Sequence, residues 1–250
     1  MQVEKIELSK TNSFSNFFLD YISNKKDLKP FYGNRPEIGN FSDQISQKIF
    51  SDNSRKVLYE SLKKQYTNIQ KTSILDENIN SLLSKDTFTI TTGHQLNIFT
   101  GPLYFIYKIV TVLNACKELE LKYPENHFVP VYWMASEDHD FDEINNFNLF
   151  GKKYLWECDQ QGAVGRFDTQ TIKNLLDELP EKPALFEKAY TEFDCLSDAV
   201  RYYVNELFGH EGVVVLDADD ISLKAEFSQI IEDDLMNHHA NDLVEQTNAK

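Results

Sequence analysis

Phe88-Thr89-Ile90-Thr91-Thr92-Gly93-His94-Gln95 and Phe128-Val129-Pro130-Val131-Tyr132-Trp133 are the two stretches whose reading decides the fold. Each begins as a short run that reads as a buried strand. The first leads straight into Gly93-His94-Gln95. The second leads into Glu137-Asp138-His139-Asp140. Between them Pro102 can open a helix over about residues 103–121, because proline suits the first helical turn. The result is a strand–helix–strand unit with titratable residues at the exit of both strands. In open parallel sheets ligands bind beyond the carboxyl ends of the strands, so these exits are where a site is expected.

Outward from this unit the signals weaken. Residues 1–45 read as irregular, with a short aromatic helix at 13–21 and a loop punctuated by Pro30, Gly33, Pro36 and Gly39. Helical spacing follows in three segments: Ile45, Ile49 and Phe50; then Val57, Leu58, Leu62 and Tyr66; then Ile74, Ile79, Leu82 and Leu83. Residues 147–168 alternate and contain Gly151, Gly162 and Gly165, which predicts one or two hairpin strands inserted after the second core strand. Residues 169–210 read as two helical pieces broken near Pro180 and Pro183. Residues 212–217 (GVVVLD) form a third buried strand ending in Asp217, with Asp219 and Asp220 beyond. A last helix runs from about Ser222, with Leu223, Phe227, Ile230, Ile231 and Leu235 on one face and an exposed His238-His239. It carries no Gly or Pro stop signal and its apolar stripe has no later element to pack on, which predicts a fragment of a longer protein.

Composition narrows the class. The 250 residues suffice for one large domain or two small ones, and 41% are apolar, with 18 Phe and 12 Tyr. Against 25 Lys and Arg stand 40 Asp and Glu, a net charge of −15. That balance argues against a nucleic-acid surface and against an anionic membrane surface. A nucleotide is still compatible, since a few amides and one or two cations can hold a phosphate. Cys116, Cys158 and Cys195 are sparse and unpaired in spacing, which fits a reducing cytoplasm. The alternating first eight residues are not a signal peptide, and no apolar run reaches the ~18–20 residues that span a bilayer.

The strand exits carry the chemistry. Gly93 lets the backbone turn or approach a ligand, and His94 can donate to an anion or act as acid or base. Thr100-Gly101-Pro102 opens a helix whose free N–H groups suit an anion. The same residues also read as a turn with a cap. Glu137-Asp138-His139-Asp140 reads as a metal site, as a hydrogen-bonding site for ribose or an amine with His139 towards phosphate, or as a solvated acidic loop. Adjacent extended residues point opposite ways, so at most two of the four face one ligand. Gly162-Ala163-Val164-Gly165-Arg166 is either an anion nest or a hairpin turn with a surface arginine. Lys108 reads as too far along the helix for anion contact unless its long stem reaches back, and Tyr104, Phe105 and Tyr107 as core packing.

Taken together, Thr92-Gly93-His94-Gln95, Phe99-Thr100-Gly101-Pro102-Leu103-Tyr104, Tyr107-Lys108, Pro130 to Ala135, Glu137 to Phe141 and the GAVGR segment resemble the cysteine-adding enzymes of bacillithiol biosynthesis. Weaker similarity includes Leu19-Asp20-Tyr21, Pro30-Phe31-Tyr32 and Val214 to Asp217. The resemblance implies an α/β fold: a Rossmann-like, nucleotidylyltransferase-type parallel sheet with helices on both faces, a connecting-peptide insertion, and a coiled coil that pairs two copies. It implies a ligase that joins L-cysteine to the amine of glucosaminyl-malate, with ATP, with or without Mg²⁺, activating the cysteine carboxylate. It places Thr91-Thr92-Gly93-His94 where related enzymes carry a phosphate-holding turn with two histidines. The family varies between His and Gln at the position of His94.

On this reading the domains are 1–87 (an N-terminal helical segment packing on the core), 88–146 (first half of the core), 147–210 (insertion), 211–222 (return strand) and 223–250 (the start of a helix leading to the coiled coil). Asp138, His139 and His94 are the candidate catalytic residues. Thr92, Gly93, Gln95, Gly101, Glu137, Arg166 and Asp217 are the candidate substrate and nucleotide contacts, with Arg166 clamping malyl carboxylates. No metal ligand and no tightly held cofactor is expected. The alternatives are a metal-dependent hydrolase using His94, Asp138, His139 and Asp140, and a non-catalytic nucleotide-binding dimerisation module.

Overall fold

A computed structural model describes residues 4–248. The chain divides into two compact units, with the boundary between Lys48 and Ile49.

The first unit holds two short helices, α1 (Asn16–Ile22) and α2 (Phe41–Gln47). Ser15 caps α1, its hydroxyl accepting from Phe18 N at 3.2 Å. The unit is organised on Arg35, whose guanidinium lies 4.5 Å from the Tyr21 ring centroid and donates to Tyr21 O at 2.6 Å. The expected face of Ile45, Ile49 and Phe50 does not form: α2 ends at Gln47, and Ile49 lies beyond it, 92% exposed.

The second unit begins with α3 (Asp52–Gln65) and α4 (Ser73–Ser81), capped by Ser51 and Thr72. These helices, grouped above with the N-terminal segment, belong to this unit. In α4 the buried stripe is Leu75 and Ile79, continued by Leu82, while Ile74 and Leu83 are exposed, a shift of about one residue around the helix from the expected face.

Strand β1 (Thr87–His94), helix α5 (Tyr104–Lys122) and strand β2 (His127–Met134) form the predicted unit, with β1 and β2 parallel and Phe88 opposite Phe128. Strand β5 (Val214–Asp217) joins β2 in parallel, giving the order β1-β2-β5. Before it come α6 (Phe141–Ile144), the antiparallel pair β3 (Asn146–Leu149) and β4 (Lys152–Leu155), α7 (Ile172–Asp177), α8 (Ala184–Glu192) and α9 (Leu196–Phe208). After it come α10 (Ile221–Ala225), α11 (Ser228–Asn237) and α12 (His239–Asn248). The core is built on the central strand: Phe128, Val129, Tyr132 and Met134 of β2 are at most 2% exposed.

Four expectations change. β1 is an edge strand whose residues between the buried Thr87 and His94 alternate between partly buried and exposed, because among the described residues only β2 pairs with it. Gly93 and His94 are its last two residues, paired with Trp133 and Met134, so they do not form a turn. Residues 169–210 hold three helices, with an additional break at 193–195, where Leu196 N donates to Phe167 O at 2.8 Å and Cys195 bridges to Asp168. The last helix is three, broken around Glu226–Phe227 and again at His238, which has a φ of 55°. Among the described residues no helix is long and apolar enough to cross a membrane.

Candidate functional site

The carboxyl ends of β1, β2 and β5 carry two polar clusters. The first joins the exits of β1 and β2. Gln95 Nε2 donates to Asp138 Oδ2 at 3.0 Å and also to Glu143 of α6. Asp138 Oδ1 accepts from the backbone N–H of Asp140 at 3.0 Å. That backbone donor, then Gln95, holds the Asp138 carboxyl below the usual carboxylate range. Asp138 is therefore an anion at neutral pH. Glu137, His139 and Asp140 are exposed around it.

The second cluster is centred on Asp217 at the end of β5. Asp217 Oδ1 accepts from Ser136 Oγ and from Asp219 N, and Oδ2 accepts from Arg201 Nη2 at 3.3 Å. Gln65 clamps the strand end, accepting from Asp217 N at 2.9 Å and donating to Asp217 O at 3.2 Å. Arg201, on α9 and 2% exposed, also donates to Asp198 at 2.6 Å. Next to it, Arg166 grips Asp219 with Nε and Nη2, and Lys224 reaches the same carboxylate. These cations, Arg166 first, hold Asp219 below its ordinary pKa. A cavity of about 300 Å³ opens beside this cluster, lined in part by Gln65, Asp198, Arg201, Asp217 and Asp220.

The GAVGR segment ties the clusters together. Val164 N donates to Asp138 O at 2.7 Å, and Gly165 N donates to Ser136 O at 2.9 Å. A Cβ on Gly165 would lie 2.6 Å from Ser136 Cβ and 2.8 Å from Ser136 O, so only glycine fits this approach.

The remaining predicted residues fall at the β1–α5 edge. Thr92 lies opposite Tyr132 and Gly93 opposite Trp133. A Cβ on Gly93 would meet nothing nearer than 3.8 Å, so glycine is not forced there. His94 is 8% exposed, stacked on Tyr104 with centroids 5.1 Å apart and edge-on to Phe105. Its Nδ1 lies 3.4 Å from Asn97 Nδ2, and its Nε2 is buried without a hydrogen-bond partner among the described residues. Burial, then the Lys108 cation, lowers the His94 pKa. Lys108 reaches back to this edge along its long stem, donating to Gly93 O at 2.7 Å. Of the three neighbouring aromatics only Phe105 is core; Tyr104 and Tyr107 are exposed. Gly101 stands three residues before α5, with φ 61°.

The structure thus brings together Gln95 with Asp138, and Arg166 with Asp217 through Asp219, while His94 lies in a separate ring stack. His94, Asp138, His139 and Asp140 do not converge: among the described residues no group of three or more His, Cys, Asp or Glu is placed to hold a metal ion. Gln65, Ser136, Glu143 and Arg201 were missed. Arg201 left a signal, as the one basic residue in the amphipathic run Leu196–Phe208; a buried arginine needs carboxylate partners.

A parallel β1-β2-β5 sheet with a helical crossover and polar clusters at its carboxyl edge defines a Rossmann-like α/β domain. All 250 residues match the family described as bacillithiol biosynthesis BshC, N-terminal Rossmann-like domain, and the chain belongs to that family. It is 44% identical over 263 residues to a Flavobacterium psychrophilum protein named "Putative cysteine ligase BshC", covering all of this chain and 50% of that protein. Proteins of the same name from Flavobacterium johnsoniae and Cytophaga hutchinsonii are 43% and 44% identical, over 99% and 98% of this chain and 49% and 47% of theirs. The chain spans about half the length of these curated relatives.

Proposed function

We propose that this domain carries the sheet-edge part of a cysteine ligase of bacillithiol biosynthesis, acting in the cytoplasm. The observation that carries the reading is the match of the whole chain to the family, with relatives above 40% identity that bear the cysteine ligase name. L-cysteine is activated by ATP at its carboxylate, as adenylate or acyl phosphate, and the amine of glucosaminyl-malate displaces the phosphorylated leaving group and loses a proton. Formation of an amide from a free carboxylate needs such activation.

The residues present suit these roles. His94 offers an unpartnered buried Nε2 beside Lys108, which fits a phosphate-bearing co-substrate held near Thr92, Gly93 and Gly101. Asp138, kept anionic and steadied by Gln95, can hold the acceptor ammonium and, with the exposed His139 and Glu137, take its proton. Arg166 is 70% exposed and shares Asp219 with Lys224. A malyl carboxylate can therefore engage Arg166 while Lys224 keeps Asp219 neutralised. The exposed Ile230, Ile231, Leu235, Leu243 and Val244 of α11 and α12 support pairing of two copies through a helical continuation.

The test is ligation by the full-length protein with L-cysteine, glucosaminyl-malate and ATP, read by mass spectrometry. Asp138→Asn and His139→Ala are expected to abolish the thiol product, and normal yield from both would sink the assignment. Absence of calorimetric binding of all three substrates would favour a non-catalytic module.

A further inference from the structure

The link from β1 to α5 has a backbone that its residues do not favour. Phe99 (φ 52°, ψ 38°), Thr100 (φ 70°) and Gly101 (φ 61°) are three consecutive residues in the left-handed half of conformational space. Glycine adopts it freely, but an aromatic and a β-branched residue do not. Such conformations persist only where the surroundings over-determine them.

Here they do. Phe99 N–H donates to the Tyr190 hydroxyl at 2.9 Å. The Tyr203 hydroxyl donates to Asn97 O at 2.9 Å and also meets the Thr100 backbone. Both tyrosines are at most 1% exposed. The Phe99 ring is enclosed by Phe147, Phe186 and Tyr190, with centroids 4.7, 5.0 and 5.2 Å away. Side chains of β3, α8 and α9 thus lock the link from one side. On the other side the link sets the first turn of α5: Tyr104, the first residue of α5, stacks on His94, and Lys108 reaches Gly93 O.

We propose that Phe99–Gly101 is a strained positioning loop, held by the Tyr190 and Tyr203 hydroxyls, that fixes the first turn of α5 against His94 for turnover. The inference rests on the cysteine ligase reading. Tyr190 and Tyr203 are positioning residues: they act through the loop. The strain lowers stability, so its retention is accounted for by a need for this geometry, and a loop free to relax loses that preorganisation.

The experiment uses the full-length protein, steady-state ligation and thermal melting. Thr100→Gly removes the side chain that opposes the conformation and is expected to raise Tm by about 1–4 °C. Its kcat is expected to stay near wild type, because glycine adopts the loop's geometry without the opposing side chain. Tyr190→Phe, which takes the acceptor from Phe99 N–H, is expected to lower kcat about 10- to 100-fold with a smaller change in KM. A folded Tyr190→Phe with wild-type kcat, or a Thr100→Gly with lowered Tm, overturns the proposal. Wild-type protein that forms no product strikes the ligase reading, and this inference with it, and that outcome is distinct from an active wild type with a fully active Tyr190→Phe.

Discussion

Gln95 and Asp138 lie 43 positions apart in the chain and meet at 3.0 Å, so the exits of β1 and β2 form one polar unit. The same Gln95 amide also donates to Glu143 and so bridges two carboxylates. Replacing it by leucine leaves those carboxylates facing each other without a shared donor. The Asp138 carboxyl, now below its ordinary pKa, is expected to titrate higher in Gln95→Leu, and carbon-13 NMR of the side chain measures this. The sign follows from linkage: a lowered folded pKa contributes stability above the unfolded value and loses it as pH falls through the folded one. Gln95→Leu is therefore expected to lose part of that contribution, and an unshifted titration would contradict the bridge.

Gly165 is fixed by contact with Ser136. Gly165→Ala places a methyl against Ser136 Cβ and its carbonyl, both backbone-anchored, so the GAVGR segment must move. The expected cost is about 1–3 kcal/mol, read from the urea midpoint. Ligation is expected to fall as well, because the displaced segment carries Arg166 and the bond from Val164 N to Asp138 O.

Arg201 neutralises Asp198 and Asp217 from inside the fold. Arg201→Leu leaves Asp217, 17% exposed, without its cation, while the half-exposed Asp198 can turn to water. A loss of about 2–4 kcal/mol is expected, below the full cost of stranding a buried charge. Asp217→Asn in the same background is expected to recover part of it, and equilibrium denaturation of the pair tests the coupling.

His94 is held towards its neutral form by burial, and then by Lys108. Its folded pKa is lowered, so the unfolded chain binds the proton more readily. The contribution is present above the ordinary histidine value near 6.5 and is lost as pH falls through the lower folded value. Wild-type Tm is thus expected to drop more steeply than that of His94→Gln as pH falls below about 6.5. Parallel melting curves against pH would exclude this account.

Much of the frame was legible in the chain. The strand-forming runs at 88–92, 128–133 and 212–216 announced three strands, and the helical stretch between the first two required a crossover, because parallel neighbours cannot be joined by a tight turn. The helix starting near Pro102 was legible from the same chemistry. The exposure of β1 was written in the alternation of Phe88 and Ile90 with Thr89 and Thr91, the pattern of a half-buried strand, although the expectation was a buried one. The break at 193–195 was hidden, because it is set by pairing with Phe167 and Asp168, more than twenty residues earlier.

The candidate site divides in the same way. Asp138, Arg166 and Asp217 could be singled out because charge beside a strand end is a local signal. Their partners could not. Gln65, Arg201 and Ser136 reach Asp217 from α3, α9 and the exit of β2. His94 illustrates the limit most clearly: next to Gly93 in sequence it reads as a turn histidine, yet it ends a strand and stacks on Tyr104.

The sequence by itself determined the secondary structure of the core unit, the edge at which polar groups gather, and the family to which the chain belongs. All of these rest on residues near one another or on motif order. Only the tertiary structure decided which carboxylates are paired, which histidine nitrogen lacks a partner, and that Phe99 and Thr100 are held in the left-handed region by two buried tyrosines. Those outcomes depend on contacts between distant segments, and hydrogen-bond geometry and desolvation are fixed only when those segments pack together.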